Sequence, residues 1–106
     1  MGDTNYIGCI VKILESPRQK TVQKNMKMTQ FRAQLPQIRN KNITIAKLKV
    51  WGNLGRDIVE YYKVNDYIII EGYVSISKNK KSKKVEITVL KAYPFSLPSK
   101  VTHDKF

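Results

Sequence analysis

Ile45, Lys47, Lys49 and Trp51 alternate with Ala46, Leu48 and Val50 along the stretch Ile43 to Trp51. In an extended chain successive side chains point to opposite faces, so each set has a face to itself. Ala46, Leu48 and Val50 make a sensible core face. A core would not take two lysines, so Ile45, Lys47, Lys49 and Trp51 face outward. Ammonium groups attract phosphates, and an indole plane lets a base stack on it for about 1–3 kcal/mol, whichever base it is. Such a row suits a single nucleic-acid strand. Trp51 also fits a plainer role, a partly buried tryptophan capping a barrel.

The other candidates are cations and one aromatic. Ser77 to Lys84 holds five lysines in eight residues, namely Lys78, Lys80, Lys81, Lys83 and Lys84. Such a run either keeps a surface solvated or contacts phosphate. Arg18, Lys20 and Lys24 share that standing. Arg32, on the face opposite Phe31, is a better candidate for contact, and Tyr73 is a nearby aromatic. Phe31 itself belongs to the core. Catalytic chemistry finds little to work with: His103 is the one histidine, no acidic pair has a catalytic setting, and the glycines are too scattered for a nucleotide fingerprint. A single cysteine, Cys9, makes neither an internal disulfide nor a thiolate-rich metal site, and reads as a small buried hydrophobe. No enzyme, cofactor or metal is expected.

Charge narrows the partner. Twenty Lys and Arg oppose eight Asp and Glu across 106 residues, a net charge of +12. A domain this basic repels itself unless a polyanion is near, and nucleic acid is the default polyanion. A membrane surface would call for a basic amphipathic helix, which the sequence lacks. At 42% apolar residues the chain folds rather than staying disordered. Its apolar runs are far shorter than the ~20 residues that span a bilayer. The start, Met1-Gly2-Asp3-Thr4-Asn5, has no signal-peptide pattern, so an intracellular protein is expected.

These side chains must be carried by strands, because the dominant period is two. Asn5 to Leu14 is a first strand with Ile7, Cys9, Val11 and Ile13 on one face. A loop from Ser16 to Asn25 follows. Met26 to Leu35 is a second strand, with Phe31, Ala33 and Leu35 inward and Gln30, Arg32 and Gln34 outward; Pro36 ends it. Ile43 to Trp51 is the third. Between Asn53 and Val64 the period lengthens: Leu54, Ile58, Tyr61 and Tyr62 form one face of a short helix packed on the barrel end. Asn65-Asp66 turns the chain, Asn tolerating the left-handed conformation. Tyr67 to Ser77 and Val85 to Ala92 are the fourth and fifth strands. The expectation is an all-β protein: a five-stranded Greek-key OB-fold barrel over residues 1–95, one helix between strands three and four, and a flexible tail over 96–106. Gly52 and Gly72 sit where a strand ends or bends, at a bulge or a close backbone approach.

Lys49-Val50-Trp51-Gly52-Asn53-Leu54-Gly55, Glu60-Tyr61-Tyr62-Lys63 and Asp66-Tyr67-Ile68-Ile69-Ile70-Glu71-Gly72 form a spaced series. It resembles the bacterial single-stranded DNA-binding protein family, in which a strand ends in aromatic-Gly, a short helix follows and a strand closes on Glu-Gly. The spacing fits without a gap from Leu48 to Val74, and Asn5, Gly8 and Phe31-Arg32-Ala33 agree more loosely. The resemblance implies that Trp51 is a stacking aromatic. It also marks departures: the family's second aromatic, six residues earlier, is Ile45 here, and tryptophans of the family fall near Arg39 and Asn79. With less stacking, charge must carry more of the affinity. Sixteen Lys, twelve Ile and seven Asn give a bias resembling AT-rich genomes, and a short member with that bias resembles those encoded in plastids.

The resemblance implies a protein that coats single-stranded DNA during replication, recombination or repair, without sequence preference. It also implies a homo-oligomer, a dimer or tetramer joined through the first strand and sheet faces. The acidic-tipped tail through which many members recruit enzymes is not expected, since Val101 to Phe106 holds one acidic residue. Two other readings stand beside this one: an RNA-binding OB domain, and a barrel that serves as a protein adaptor without binding nucleic acid.

Overall fold

A computed structural model describes residues 5–36, 43–78 and 83–95. Six strands and one helix follow in order: β1 (Tyr6–Ile13), β2 (Arg18–Thr21), β3 (Lys27–Gln34), β4 (Ile45–Trp51), α1 (Gly52–Tyr61), β5 (Tyr67–Lys78) and β6 (Lys83–Pro94). The five expected strands and the helix are all present. β2 is additional, a short polar strand inside the stretch read as a loop. It is joined to β3 by a tight turn in which Lys24 and Asn25 take positive φ of 53° and 64°.

The strands close on themselves. β1 pairs with β5, β5 with β6, β6 with β4 in parallel, and β4 with β3; the ring shuts where Lys12 and Ile13 of β1 meet Gln34 and Ala33 of β3. β2 adds to the free edge of β3 outside this ring. A five-stranded closed ring with one parallel pair and a helix after its third strand is the OB-fold. The tail over 96–106 lies outside the described residues.

Alternation fills the interior. Val11, Ile13, Phe31, Leu48, Val50, Ile68, Ile70 and Ile87 are buried, each contributing about 1.5–3 kcal/mol relative to exposure. Cys9 is half-buried against this core rather than fully buried, and desolvation pushes its thiol above the ordinary value.

Two glycines steer the chain into and along the helix. Gly52 has φ +70°, a left-handed turn that swings the backbone out of β4 directly into α1. Gly55 lies against the barrel, where a Cβ would come within 2.5 Å of Thr29 Oγ1 and 2.8 Å of the Val50 carbonyl oxygen. Ile58 then plugs the barrel end. Tyr62 packs on the core as expected, but Tyr61 does not: it is 70% exposed, because the helix turns it past the rim. The turn beyond the helix is tied to β1, with Asn65 N–H donating to the Ile13 carbonyl at 2.8 Å and Ile13 N–H to the Asp66 carbonyl at 2.9 Å. Asn65 takes the left-handed conformation there, φ 77°.

Candidate nucleic-acid interface

The outer surface of the sheet assembles most of the candidate residues. In β4, Ala46, Leu48 and Val50 are buried, while Ile45, Lys47 and Trp51 are exposed and Lys49 is half-exposed. Cross-strand registers then set what flanks them. Lys49 lies between Gln30 of β3 and Thr88 of β6, and Thr88 leads to Tyr73 of β5. Lys47 lies between Arg32 of β3 and Glu86 of β6, and Glu86 leads to Ser75 of β5. β2 extends the first row, with Arg18 opposite Gln30, and sets Lys20 opposite Met28. The result is a face of cations, amides and hydroxyls running across five strands, with one carboxylate, Glu86, set among them.

Trp51 stands at the end of this face and is 41% exposed, open enough for one side of the indole to meet a ligand. Its cross-strand partner Met28 is buried, so the ring rests beside a filled apolar position. Ile45 is exposed where the resembling family would have a second ring. Arg39 and Asn79, at the other departures, lie outside the described residues. Tyr73 is on the same sheet but two strands from β4, edge-on to Tyr6 with ring centroids 5.3 Å apart. The Tyr6 hydroxyl donates to Glu71 Oε1 at 2.8 Å, and that bond holds its phenol above the usual value of 10.

Two of the candidate cations have carboxylate partners. Arg32 Nε meets Glu15 Oε1 at 3.2 Å, and the Arg32 backbone N–H donates to Glu15 Oε2 at 2.9 Å. Lys49 Nζ meets Glu86 Oε1 at 3.2 Å. Both pairs are partly solvated, and such pairs are worth about 0–1 kcal/mol, so neither cation is held tightly by its carboxylate. Among the described residues Lys47 has no ion-pair partner. Beside the face, Glu15, Ser16, Arg18, Gln19, Lys20 and Gln30 line a polar cleft of about 650 Å³.

Lys84, exposed on β6, belongs to the end of the β5–β6 hairpin. Lys78 and Lys83 are paired in register at that end, and Lys80 and Lys81 lie outside the described residues. Glu86 and Thr88 also belong to the face, beyond the residues that the sequence pattern singles out. The alternation Val85-Glu86-Ile87-Thr88-Val89 marks both as outward, but nothing local says that β6 runs beside β4. Among the described residues there is no group of three or more His, Cys, Asp or Glu able to hold a metal ion, and no helix long and apolar enough to cross a membrane.

A closed OB ring that presents a basic outer sheet face with one protruding indole defines the class, a nucleic-acid-type OB domain. No family model matches the chain. It is 41% identical over 104 residues to "Putative single-stranded DNA-binding protein ycf41" of Trieres chinensis, covering 90% of this chain and 92% of the relative. The chain belongs to this family of single-stranded DNA-binding proteins. Solved structures agree on the fold. The SSB domain of a Synechococcus protein superposes with a TM-score of 0.71 at 20% identity, over 88% of this chain and 98% of that one. The small single-stranded DNA-binding protein of Streptomyces coelicolor gives 0.70 at 11% identity, over 90% and 96%. The second such protein of Mycobacterium smegmatis gives 0.68 at 18%, over 85% and 87%.

Proposed function

We propose that this protein binds single-stranded DNA without sequence specificity, along the outer face of β3, β4, β6 and β5. The observation that carries the reading is the outward β4 row, Lys47, Lys49 and Trp51, set beside Arg32 and Gln30 and backed by a buried apolar row. Lys47, Lys49, Arg32 and Lys84 approach phosphates, as do Lys78, Lys80, Lys81 and Lys83 of the lysine-rich run, and Trp51 stacks on a base. With one indole, electrostatics dominates, and affinity falls with salt at a log–log slope of about −0.7 per phosphate neutralised. The role that follows is coverage of exposed strands during replication, recombination or repair. The name of the ycf41 relative, a plastid gene designation, and the Lys-, Ile- and Asn-rich composition support a plastid setting.

Competition between thymine and uracil oligomers of equal length tests the choice of nucleic acid. DNA is expected to displace RNA more readily than the reverse. Preferential retention of the uracil oligomer would transfer the site to RNA.

A homo-oligomer is part of this reading. Among the described residues, β1 pairs on one side only from Tyr6 to Val11, with β5, leaving that edge open to a second copy. Tyr6, Ile10, Tyr67, Tyr73 and Tyr93 are exposed on the neighbouring strands β1, β5 and β6, and clustered exposed apolar side chains mark interaction surfaces. Covering it would place Tyr73 nearer the interface than the strand-binding row. Sedimentation velocity is expected to give a dimer or tetramer; a single 12.3 kDa species at micromolar protein would remove this part of the account.

A further inference from the structure

Glu86 is the one acidic residue in β3, β4 and β6, the three adjacent strands at the middle of the basic face. It sits directly beside Lys47 in register, and its Oε1 is 3.2 Å from Lys49 Nζ. β6 is hydrogen-bonded to β4 on one side and β5 on the other, so the backbone that carries this carboxylate is held on both sides. A face built only to attract phosphate gains nothing from an anion at its centre.

We propose that Glu86 is a specificity-determining residue that turns away phosphate backbones and admits strands able to present their bases. The inference rests on the single-strand reading given above. A duplex keeps its bases stacked inside and offers this face a row of phosphates, one of which must come against the carboxylate. Polyphosphate has the same handicap. A single strand can rotate its bases inward, setting uncharged base edges over Glu86 while its phosphates lie along the flanking cations Lys47, Lys49, Arg32 and Lys84. Base N–H groups can donate to the carboxylate, as cytosine N4 does to acidic side chains elsewhere. Stacking on Trp51 requires the same inward orientation of the bases. Rejecting the wrong ligand by a placed like charge is a common route to selectivity, because selectivity is a difference of two affinities.

Glu86→Gln keeps the shape and removes the charge. Its binding to a thymine oligomer, to a duplex of equal length and to inorganic polyphosphate is compared with wild type at one moderate salt concentration. Glu60→Gln, on the exposed side of α1, makes the same change in net charge away from the face. Glu86→Gln is expected to bind duplex and polyphosphate about tenfold more tightly and the thymine oligomer no more than about twofold more tightly. Its salt slope for duplex steepens by about 0.9, the mark of one more phosphate neutralised. Glu60→Gln is expected to shift all three little and equally. Equal tightening of all three ligands by Glu86→Gln, or no tightening of any, overturns the inference while leaving single-strand binding intact. A wild-type protein that fails to bind the thymine oligomer even at low salt instead removes the underlying reading, and this inference with it. Thermal melts accompany the series, and Glu86→Thr, a good strand former, carries the same prediction should the glutamine variant melt early.

Discussion

Lys47→Glu combined with Lys49→Glu is expected to lower affinity for a thymine oligomer by at least about 100-fold at moderate salt, and to flatten the log–log salt slope by about 1.4. The slope change corresponds to two phosphates that the protein no longer neutralises. The fall in affinity is larger than simple deletion would give, because two attractive charges become repulsive and Glu86 is released from its pairing with Lys49 to add a third anion. The face is partly solvated, so the change costs the fold little, on the order of 1 kcal/mol. Melting temperature therefore separates lost binding from lost structure. Lys47→Ala with Lys49→Ala is the milder companion, with a loss of about tenfold. Unchanged single-strand affinity in the double glutamate variant would move the ligand off β4 altogether. If partner binding survived alongside an absence of any nucleic-acid affinity, the barrel would be an adaptor.

The second large effect is on stability. Gly72→Ala is expected to destabilise the fold by about 3 kcal/mol, the upper end of the cost of overfilling a packed site. That corresponds to a drop in melting temperature of more than about 10 °C for a domain of this size. Gly72 is buried at the irregularity where β5 slips against β6, and a Cβ there would run into the Thr88 carbonyl group. The obstacle is backbone in a hydrogen-bonded neighbour, so no side-chain rotation relieves it. Gly8→Ala is the contrast, since its Cβ would meet Glu71 Cγ at 3.5 Å, an ordinary contact. Gly52→Ala lies between them: it has open space but a left-handed φ, which costs about 1–2 kcal/mol. Melting curves for the three variants should rank accordingly, with Gly72→Ala lowest and Gly8→Ala highest, and equal melting of those two would contradict the packing argument.

Most of the barrel was legible because one face of each ring strand is buried, which stamps a period of two on the sequence. The outward direction of Lys47, Lys49 and Trp51 followed from the same stamp. β2 escaped because Arg18-Gln19-Lys20-Thr21 buries nothing fully; it is a strand only by its pairing with β3. Helical spacing puts Tyr61 on the packed face, yet the helix ends at that residue and its ring leaves the barrel. The ion pairs were beyond reach for a different reason. Lys49 and Glu86 meet because a parallel crossover lays β6 beside β4, and Arg32 meets Glu15 because β3 closes the ring against the end of β1. Such pairs depend on register between distant segments, which no local pattern encodes. The same holds for Gly55, whose need to be glycine comes from Thr29 and Val50 rather than from its own helix.

Trp51 is the one tryptophan in the chain, so its fluorescence reports from a single point on the proposed face. The decisive measurement is its titration with a thymine oligomer at low and moderate salt, with duplex DNA of equal length alongside. Single-strand binding on β4 predicts strong quenching by the oligomer, weakened as salt rises, and much weaker quenching by the duplex. An unchanged emission spectrum, together with no mobility shift of the oligomer at low salt, would contradict single-strand binding on this face and leave only the fold.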